Sequence, residues 1–576
     1  MDAQMRGRLW MGFGLAVLCV FHAWLVVAWL NVDSEPLFWD GSEHAHKVVK
    51  VQHNLYRSTP PIRGKLLSPA VIDFSIDEPL LARVAFAPLA GMANLVESIY
   101  LGAARPPLSY WPSGVLAGWR EASTDRIIAA HGLMWFLALI GATYLLGAAL
   151  GNRATGFLSA VIVSGYPLFF GQARVPMLDT PLAAATAYSL WAFLRCNEFR
   201  DRRWSLVFGA ACGAGLLIKQ SFPIGLALPL LWVLVPMGRE AWLQRGHLSP
   251  EFSERLAHLS RALFGCVLVA GPWYLVNTPS TLRFLVKSRM ASVAEGDPSS
   301  LSLEGLLFYP WVFLDVALGP LFVAAAVGGF VVLLFRGRRQ ERLTLGLGTL
   351  GLLVVFVLLY SNKDARYIAP ALPLMAVTTA VAVHRIPLTF VRHLAFGVLI
   401  CVSAATAIVT PRYAAEFPFE HAPAENVLNS LFDVGSFYAG APRPGEWPIG
   451  LIRDSIRAHS REDVGITQLL VVNGGHLLTP GLGLAGERDR LRLRDGLPVE
   501  HVAVHGDHAR VLDLTQFYIL VERKSGVRER GWPLGDSQLL GHGLTHEHAE
   551  SLLRVESLPH GGSAELFFYD RSQVDL

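Results

Sequence analysis

Trp39-Asp40-Gly41-Ser42-Glu43-His44 and, further along, Arg105-Pro106-Pro107-Leu108-Ser109-Tyr110-Trp111 stand in one polar connection, residues 31–125, between the first two long apolar runs of the chain. Acidic and basic motifs held between membrane-length runs put charged chemistry at a bilayer surface. The composition agrees. Of 576 residues, 52% are hydrophobic and only 16% charged, and the mean hydropathy is +0.39, too apolar for an ordinary soluble domain. A formal net charge of +3 is small for this length and gives no reason to expect a nucleic-acid partner. Cys19, Cys196, Cys212, Cys266 and Cys401 lie in or beside apolar runs, where a thiol packs as a small hydrophobe and frames neither a metal site nor a disulfide scaffold.

Outward from that connection, about eleven runs approach the ~20 apolar residues a helix needs to cross a bilayer. They fall near Leu9–Leu30, Ile127–Leu150, Ala154–Phe170, Leu178–Leu194, Trp204–Ile218, Phe222–Val235, Ala262–Val276, Trp311–Phe335, Leu343–Tyr360, Tyr367–Val383 and Leu394–Val409. Arg6 and Arg8 precede the first run, but its length and the lack of a small-residue cleavage pattern make it a retained helix rather than a signal peptide. Leu80–Leu101 is also apolar, yet it carries Arg83 and Glu97. Counting it as a crossing would reverse every later loop, so it reads as an interfacial helix on the outer surface.

Short cytoplasmic loops carry the excess of Lys and Arg. With the N-terminus inside, the inside loops hold Arg153; Arg195, Arg200, Arg202 and Arg203; Arg239, Arg245, Arg255 and Arg261; Arg336, Arg338, Arg339 and Arg342; and Arg385 and Arg392. The alternation is consistent throughout. An odd number of crossings places the segment after Val409 outside, in a plasma or inner membrane. The chain is therefore expected to be a polytopic α-helical membrane protein, residues 1–411, with a soluble extracytoplasmic α/β domain over residues 412–576.

In that tail, Gln468–Val472 and Phe517–Val521 read as strands between polar, Gly-rich turns. Gly481-Leu482-Gly483-Leu484-Ala485-Gly486 has the spacing of a dinucleotide fingerprint, but no strand directly precedes it, so it is read as a loop. His542, His546 and His548 read as surface residues rather than metal ligands.

The topology gathers Asp40, Glu43, His44, Arg105, Arg174, Asp179, Lys219, Glu295, Asp297, Glu304, Lys363, Asp364, Arg366 and Tyr367 on the outer side. Charges cost about 2.5–3.5 kcal/mol each at mid-bilayer, so they belong in a hydrated cavity or at the interface. The order of these motifs resembles the membrane glycosyltransferases of the GT-C fold. The resemblance covers residues 9 to 411. It rests on Asp40 with His44, Pro106-Pro107-Leu108-x-Tyr110-Trp111, Arg174-x4-Asp179, Gly213-x-Gly215-Leu216-Leu217-Ile218-Lys219, and Arg366-Tyr367-x2-Pro370-x2-Pro373. The branch it resembles contains the protein O-mannosyltransferases and aminoarabinose transferases, which take sugars from polyprenyl-phosphate carriers.

The resemblance implies a transfer from such a carrier to an acceptor hydroxyl on protein, lipid A or a glycan, with inversion. Asp40 is the candidate base and Glu43 its alternative, because the family's adjacent Asp-Glu is interrupted here by Gly41 and Ser42. Arg105, Tyr110, Arg174, Asp179, Lys219, Arg366 and Tyr367 are the candidates for holding carrier phosphate or substrate. Where aminoarabinose transferases place Glu-Lys before the Pro-Pro pair, this chain has Ala104-Arg105. The phosphate contact is kept and that metal ligand is lost, so no firmly bound cofactor is expected and a divalent cation is left open. Expected partners are the carrier-linked donor, membrane lipid and the acceptor.

Each residue also has a bland role. Asp40 could be an interfacial carboxylate or a helix cap, Arg105 and Lys219 could snorkel, and Arg366 and Tyr367 could anchor at the interface. Asp179 could hold Arg174 or Lys219, or cap the helix that opens at Thr180-Pro181. His44, His46 and His53 with Glu43 are a weaker metal candidate, since His44 and His46 point to different sides of a helix. A secondary transporter and a lipid-linked glycan polymerase or ligase are the rival classes. The chain shows no repeat of its first half in its second, against the transporter pattern.

Overall fold

The computed structural model describes residues 3–33, 44–45, 47–48, 51, 105–119, 124–243, 249–294, 298–360, 362–413 and 451, with five short stretches between 467 and 569. The chain divides into two compact units, Met1–Trp29, Asn54–Glu121 and Asp125–Ala441 in one, and Leu30–His53, Ala122–Thr124 and Pro442–Leu576 in the other.

The first unit is helical. Its described helices are α1 (Ala3–Leu30), α2 (Trp111–Trp119), α3 (Thr124–Leu150), α4 (Arg153–Ser164), α5 (Pro167–Gln172), α6 (Asp179–Cys196) and α7 (Arg202–Leu216), followed by α8 (Ile224–Leu243), α9 (Pro250–Ala294), α10 (Leu303–Val312) and α11 (Pro320–Arg336). The last three are α12 (Arg339–Leu359), α13 (Ala365–His384) and α14, which begins at Thr389.

Every apolar run of the sequence meets a helix, though not always one helix. The run over 154–170 breaks at Gly165-Tyr166, where Pro167 restarts the chain as α5, as proline at a first helical position does. The run over 311–335 breaks where a π turn, Phe313–Ala317, gives way to Gly319 at φ 85° and then Pro320. That left-handed residue has to be glycine or incur strain. Conversely, α9 is far longer than its apolar stretch, 45 residues. By length and composition seven described helices can cross a membrane, namely α1, α3, α8, α9, α12, α13 and α14, while α4 and α11 are shorter apolar helices. Large apolar side chains face outward, Leu275 at 85% exposure and Phe390 at 77%, which suits contact with lipid rather than water.

Small residues bring α7 and α9 together. A Cβ on Gly209 would stand 1.9 Å from the Ala262 carbonyl, and one on Gly213 would stand 2.8 Å from the carbonyl of Cys266. In lipid, where apolar burial gives little drive, such close backbone approach is what packs helices. The turn from α6 to α7 carries Asn197, Glu198 and Phe199 all at positive φ. Backbone of this kind persists only where its surroundings over-determine it, and here they do. Phe199 is buried against Phe193 and Phe208, and its carbonyl lies 3.1 Å from His258 Nδ1. Arg255 Nε donates to the Glu198 carbonyl at 3.3 Å, and the Arg339 guanidinium pairs with the Glu198 carboxylate. Nearby in sequence, buried Glu341 receives Arg385 Nη2 at 2.7 Å on one carboxylate oxygen and caps the Arg338 backbone N–H at 2.7 Å with the other.

These contacts gather the arginine-rich ends of α6, α9, α12 and α13 at one end of the bundle. The opposite ends of α6, α7 and α13 meet around Asp179, Lys219 and Tyr367. The two groups of charge thus lie at opposite ends of α6 and α13.

The second unit contains a five-stranded mixed sheet in the order β2-β1-β3-β5-β4, with β1 Thr467–Val472, β2 Val499–His501, β3 Phe517–Glu522, β4 Ala549–Val555 and β5 Ser563–Tyr569. β1 pairs in parallel with β2 and β3, while β5 is antiparallel to β3 and β4. The two strands read from sequence are β1 and β3. The Gly481–Gly486 loop, the three histidines of 542–548 and the interfacial helix at Leu80–Leu101 lie outside the described residues.

Candidate functional site

Lys219 is the centre of the described cluster. α7 ends at Leu216, and the turn that follows is possible because Gly215 leaves room for the Phe222 ring, 2.3 Å from where its Cβ would stand. That turn aims Lys219 at the first turn of α6, where Nζ donates to Asp179 Oδ1 at 2.6 Å. Asp179 is almost wholly buried and also gains from the positive end of the α6 dipole. Lys219 is thus one of the partners the sequence offers to Asp179 that the structure supplies. The same ammonium lies over the Tyr367 ring, 5.0 Å from its centroid, a cation–π contact.

Tyr367 belongs to the 3-10 turn that begins α13, and the residues before it are braced from three directions. Arg366 donates its backbone N–H and Nε to Asp364 Oδ1, each at 2.9 Å, and its Nη2 pairs with the other carboxylate oxygen. Tyr309 donates its hydroxyl to the Asp364 carbonyl at 3.2 Å. Lys363 Nζ donates to the carbonyls of Phe356 and Val357 at 2.7 and 2.9 Å, satisfying the π-helical end of α12. Phe356, Tyr360 and Tyr367 form an aromatic trio with centroids 5.7 to 5.9 Å apart. Tyr309, Phe356 and Tyr360 were not legible as site residues. Phe356 and Tyr360 precede the polar Asn362–Arg366 stretch, their one sequence signal, and Tyr309 has none.

Arg105 enters from the other side of the chain. Its guanidinium stacks on Phe284 of α9 at 5.4 Å. The turn behind it is tied to the Lys219 turn by the Leu108 N–H, which donates to the Leu217 carbonyl at 2.9 Å. Tyr110 is fully buried and stacks on His131, centroids 6.3 Å apart, so its described contacts hold the turn in place. Arg174, also buried, lies between two rings, 4.6 Å from the centroid of Trp29 and 5.7 Å from that of Phe170. It thus links the end of α1 to the α5–α6 connection.

Asp40 and Glu43, the candidate bases, lie outside the described residues, as do His46, His53, Glu295 and Asp297; Glu304 is described, in the first turn of α10, and is exposed. Among the described residues no three His, Cys, Asp or Glu side chains converge as a metal site would require. The described arrangement offers cations of fixed direction, Lys219 and Arg366 each beside a carboxylate and Arg105 on an aromatic face, at the mouths of helices. Such a cluster can hold an anionic group and neutralise charge that develops on it.

The family model for dolichyl-phosphate-mannose-protein mannosyltransferases matches residues 117–286. An uncharacterized protein of Aquifex aeolicus is 24% identical over 335 residues, which is 54% of this chain and 60% of that relative. The match therefore spans less than two thirds of the curated relative. Among solved structures, ArnT from Cupriavidus metallidurans bound to undecaprenyl phosphate superposes with a TM-score of 0.55 at 15% identity, over 97% of this chain and 98% of that one. The archaeal oligosaccharyltransferase AglB from Archaeoglobus fulgidus, in complex with an inhibitory peptide and a dolichol-phosphate, gives 0.50 at 11% identity, over 89% of this chain and 70% of that one. The chain has the GT-C fold of these membrane glycosyltransferases.

Proposed function

We propose that this chain is an integral membrane glycosyltransferase that moves a sugar from a polyprenyl-phosphate carrier to an acceptor hydroxyl outside the cytoplasm, on protein, lipid A or a glycan. One observation carries the reading: in a GT-C fold, Asp179, Lys219 and Tyr367 meet at helix mouths, and the Arg105 turn is hydrogen-bonded to the turn that carries Lys219. Undecaprenyl phosphate in the ArnT structure and dolichol-phosphate in the AglB structure are ligands of the same charge class.

In this reading residues 1–411 form the transferase domain and cross the bilayer about eleven times, with the N-terminus inside. Residues 412–576 form a soluble α/β domain outside. Parallel pairing of β1 with β2 and β3 requires crossovers of a dozen or more residues, which residues 473–498 and 502–516 are long enough to supply.

An acceptor hydroxyl is a poor nucleophile until a carboxylate takes its proton, the role of Asp40 with Glu43 as the alternative. The hydroxyl oxygen bonds to the anomeric carbon from the face opposite the phosphate. The bond from that carbon to the phosphate oxygen breaks, and its electron pair leaves with the polyprenyl phosphate, giving an inverted product. Arg105 meets the growing phosphate charge with a planar fork. Lys219 and Arg366, each oriented by its carboxylate, hold the same anion, Tyr367 supports Lys219 from below, and Arg174 fixes the approach of α1. Carrier cleavage drives the transfer.

The test is turnover of a panel of polyprenyl-phosphate sugars by membranes carrying the protein, with the anomeric configuration of the product read by NMR. Carrier release with inversion is expected. Solute uptake with no turnover of any donor would reject the reading.

A further inference from the structure

Between the Arg105 turn and the start of α3 lies a buried polar contact with no part in the chemistry above. Ser113 Oγ is 2.5 Å from His131 Nδ1 across a sequence gap of 18, and both side chains are enclosed, at 1% and 0% exposure. The pair sits in a knot that touches the backbone segments carrying Arg105, Arg174, Asp179 and Lys219. Trp135 Nε1 donates to the Ser109 carbonyl at 2.9 Å, and Tyr110 stacks on the His131 ring. The next residue, Gly132, lets α3 approach the α5–α6 connection, its Cβ position being 2.7 Å from the carbonyls of both Gln172 and Ala173, immediately before Arg174. The Met177 backbone lies beside the imidazole, two residues before Asp179. From the other edge of the turn, Leu108 bonds to Leu217, two residues before Lys219.

A serine beside a histidine suggests a nucleophile and its base, but these two are shut away from any substrate. A buried hydrogen bond at the junction of three segments acts by fixing their register. We propose that Ser113 and His131 are positioning residues for the carrier phosphate. Their bond sets the height of the Arg105 turn against the Asp179 and Lys219 segments, so that guanidinium and ammonium face one phosphate together. The proposal rests on the carrier reading above. It asks more of the site than that reading does, namely that a planar fork needs its base held still, whereas a flexible point charge does not.

The experiment measures binding of undecaprenyl phosphate to the full-length protein in detergent, together with thermal unfolding. Ser113→Ala and His131→Phe remove the hydrogen bond, the second while keeping a ring against Tyr110. Each should weaken binding about three- to tenfold, the span that one net hydrogen bond commands. In an Arg105→Lys background, where a flexible ammonium replaces the fork, the same substitutions should change affinity less than twofold. Ser113→Thr, which keeps the hydroxyl, should restore wild-type binding and covers the case in which the deletions fail to fold. Unchanged affinity in the single variants, equal weakening in the Arg105→Lys background, or failure of Ser113→Thr to bind would overturn the role. Absence of binding by the wild type would overturn the carrier reading itself, a different result from additive losses in a protein that binds.

Discussion

Replacing Lys219 by methionine leaves the Asp179 carboxylate buried with its ammonium partner gone. At 2.6 Å and an effective dielectric of ~20, the direct attraction is about 6 kcal/mol, opposed by the cost of withdrawing both charges from water. Removing one member of such a pair costs roughly 3–5 kcal/mol, because the other is stranded. The Lys219 side chain keeps 22% of its surface exposed while that of Asp179 keeps 3%, so the lower end, about 3 kcal/mol, applies to Lys219→Met. Asp179→Asn strands the less buried charge and should cost somewhat less. The double variant leaves no charge behind and should be no worse than either single change, giving a coupling of about 3 kcal/mol in a double-mutant cycle. Equilibrium unfolding in mixed micelles reads the three values. Undecaprenyl-phosphate binding, measured alongside, should fall in Lys219→Met and stay low in the double variant, since stability returns without the cation. Additive stability losses, with coupling below about 0.5 kcal/mol, would refute the ion pair as the organiser of this end of the bundle.

Gly209→Leu should lower stability by 3 kcal/mol or so, through overpacking at the α7–α9 crossing where a Cβ already meets the Ala262 carbonyl at 1.9 Å; a thermal shift within a degree of wild type would contradict that crossing. Glu341→Ala, which strands Arg385 and uncaps the start of α12, should cost roughly 3 kcal/mol in stability while leaving the KM for carrier unchanged, because it acts at the far end of the helices. A raised KM would place the two ends in communication.

How much of this was legible depended on range. Helices were read well where apolar residues run without punctuation, as in α3 and α14. Their bounds escape hydropathy where local backbone chemistry intervenes: Gly165 and Pro167 split one run, Gly319 and Pro320 another, and α9 continues through Glu251, Arg255 and Arg283, which dilute its hydropathy. In the site, Asp179 and Lys219 stand out in the sequence but their pairing does not, because a one-dimensional reading ranks no partner 40 residues away. Arg366 was legible as a cation but not as the partner of Asp364. The aromatic supports, Tyr309, Phe356, Tyr360 and Trp29, carry no motif and acquire meaning only from what they touch. Ser113 and His131 look like ordinary residues of two neighbouring segments until folding brings them together.

The central claim is carrier-dependent transfer, and its most direct test is turnover of polyprenyl-phosphate sugars by membranes containing equal amounts of inserted wild type, Asp40→Asn and Arg105→Ala. Turnover by the wild type that collapses in both variants is the predicted result, by a factor of roughly 100 or more for loss of the base. Undiminished turnover in Asp40→Asn would move the base to Glu43, and the absence of turnover for every donor would contradict the account.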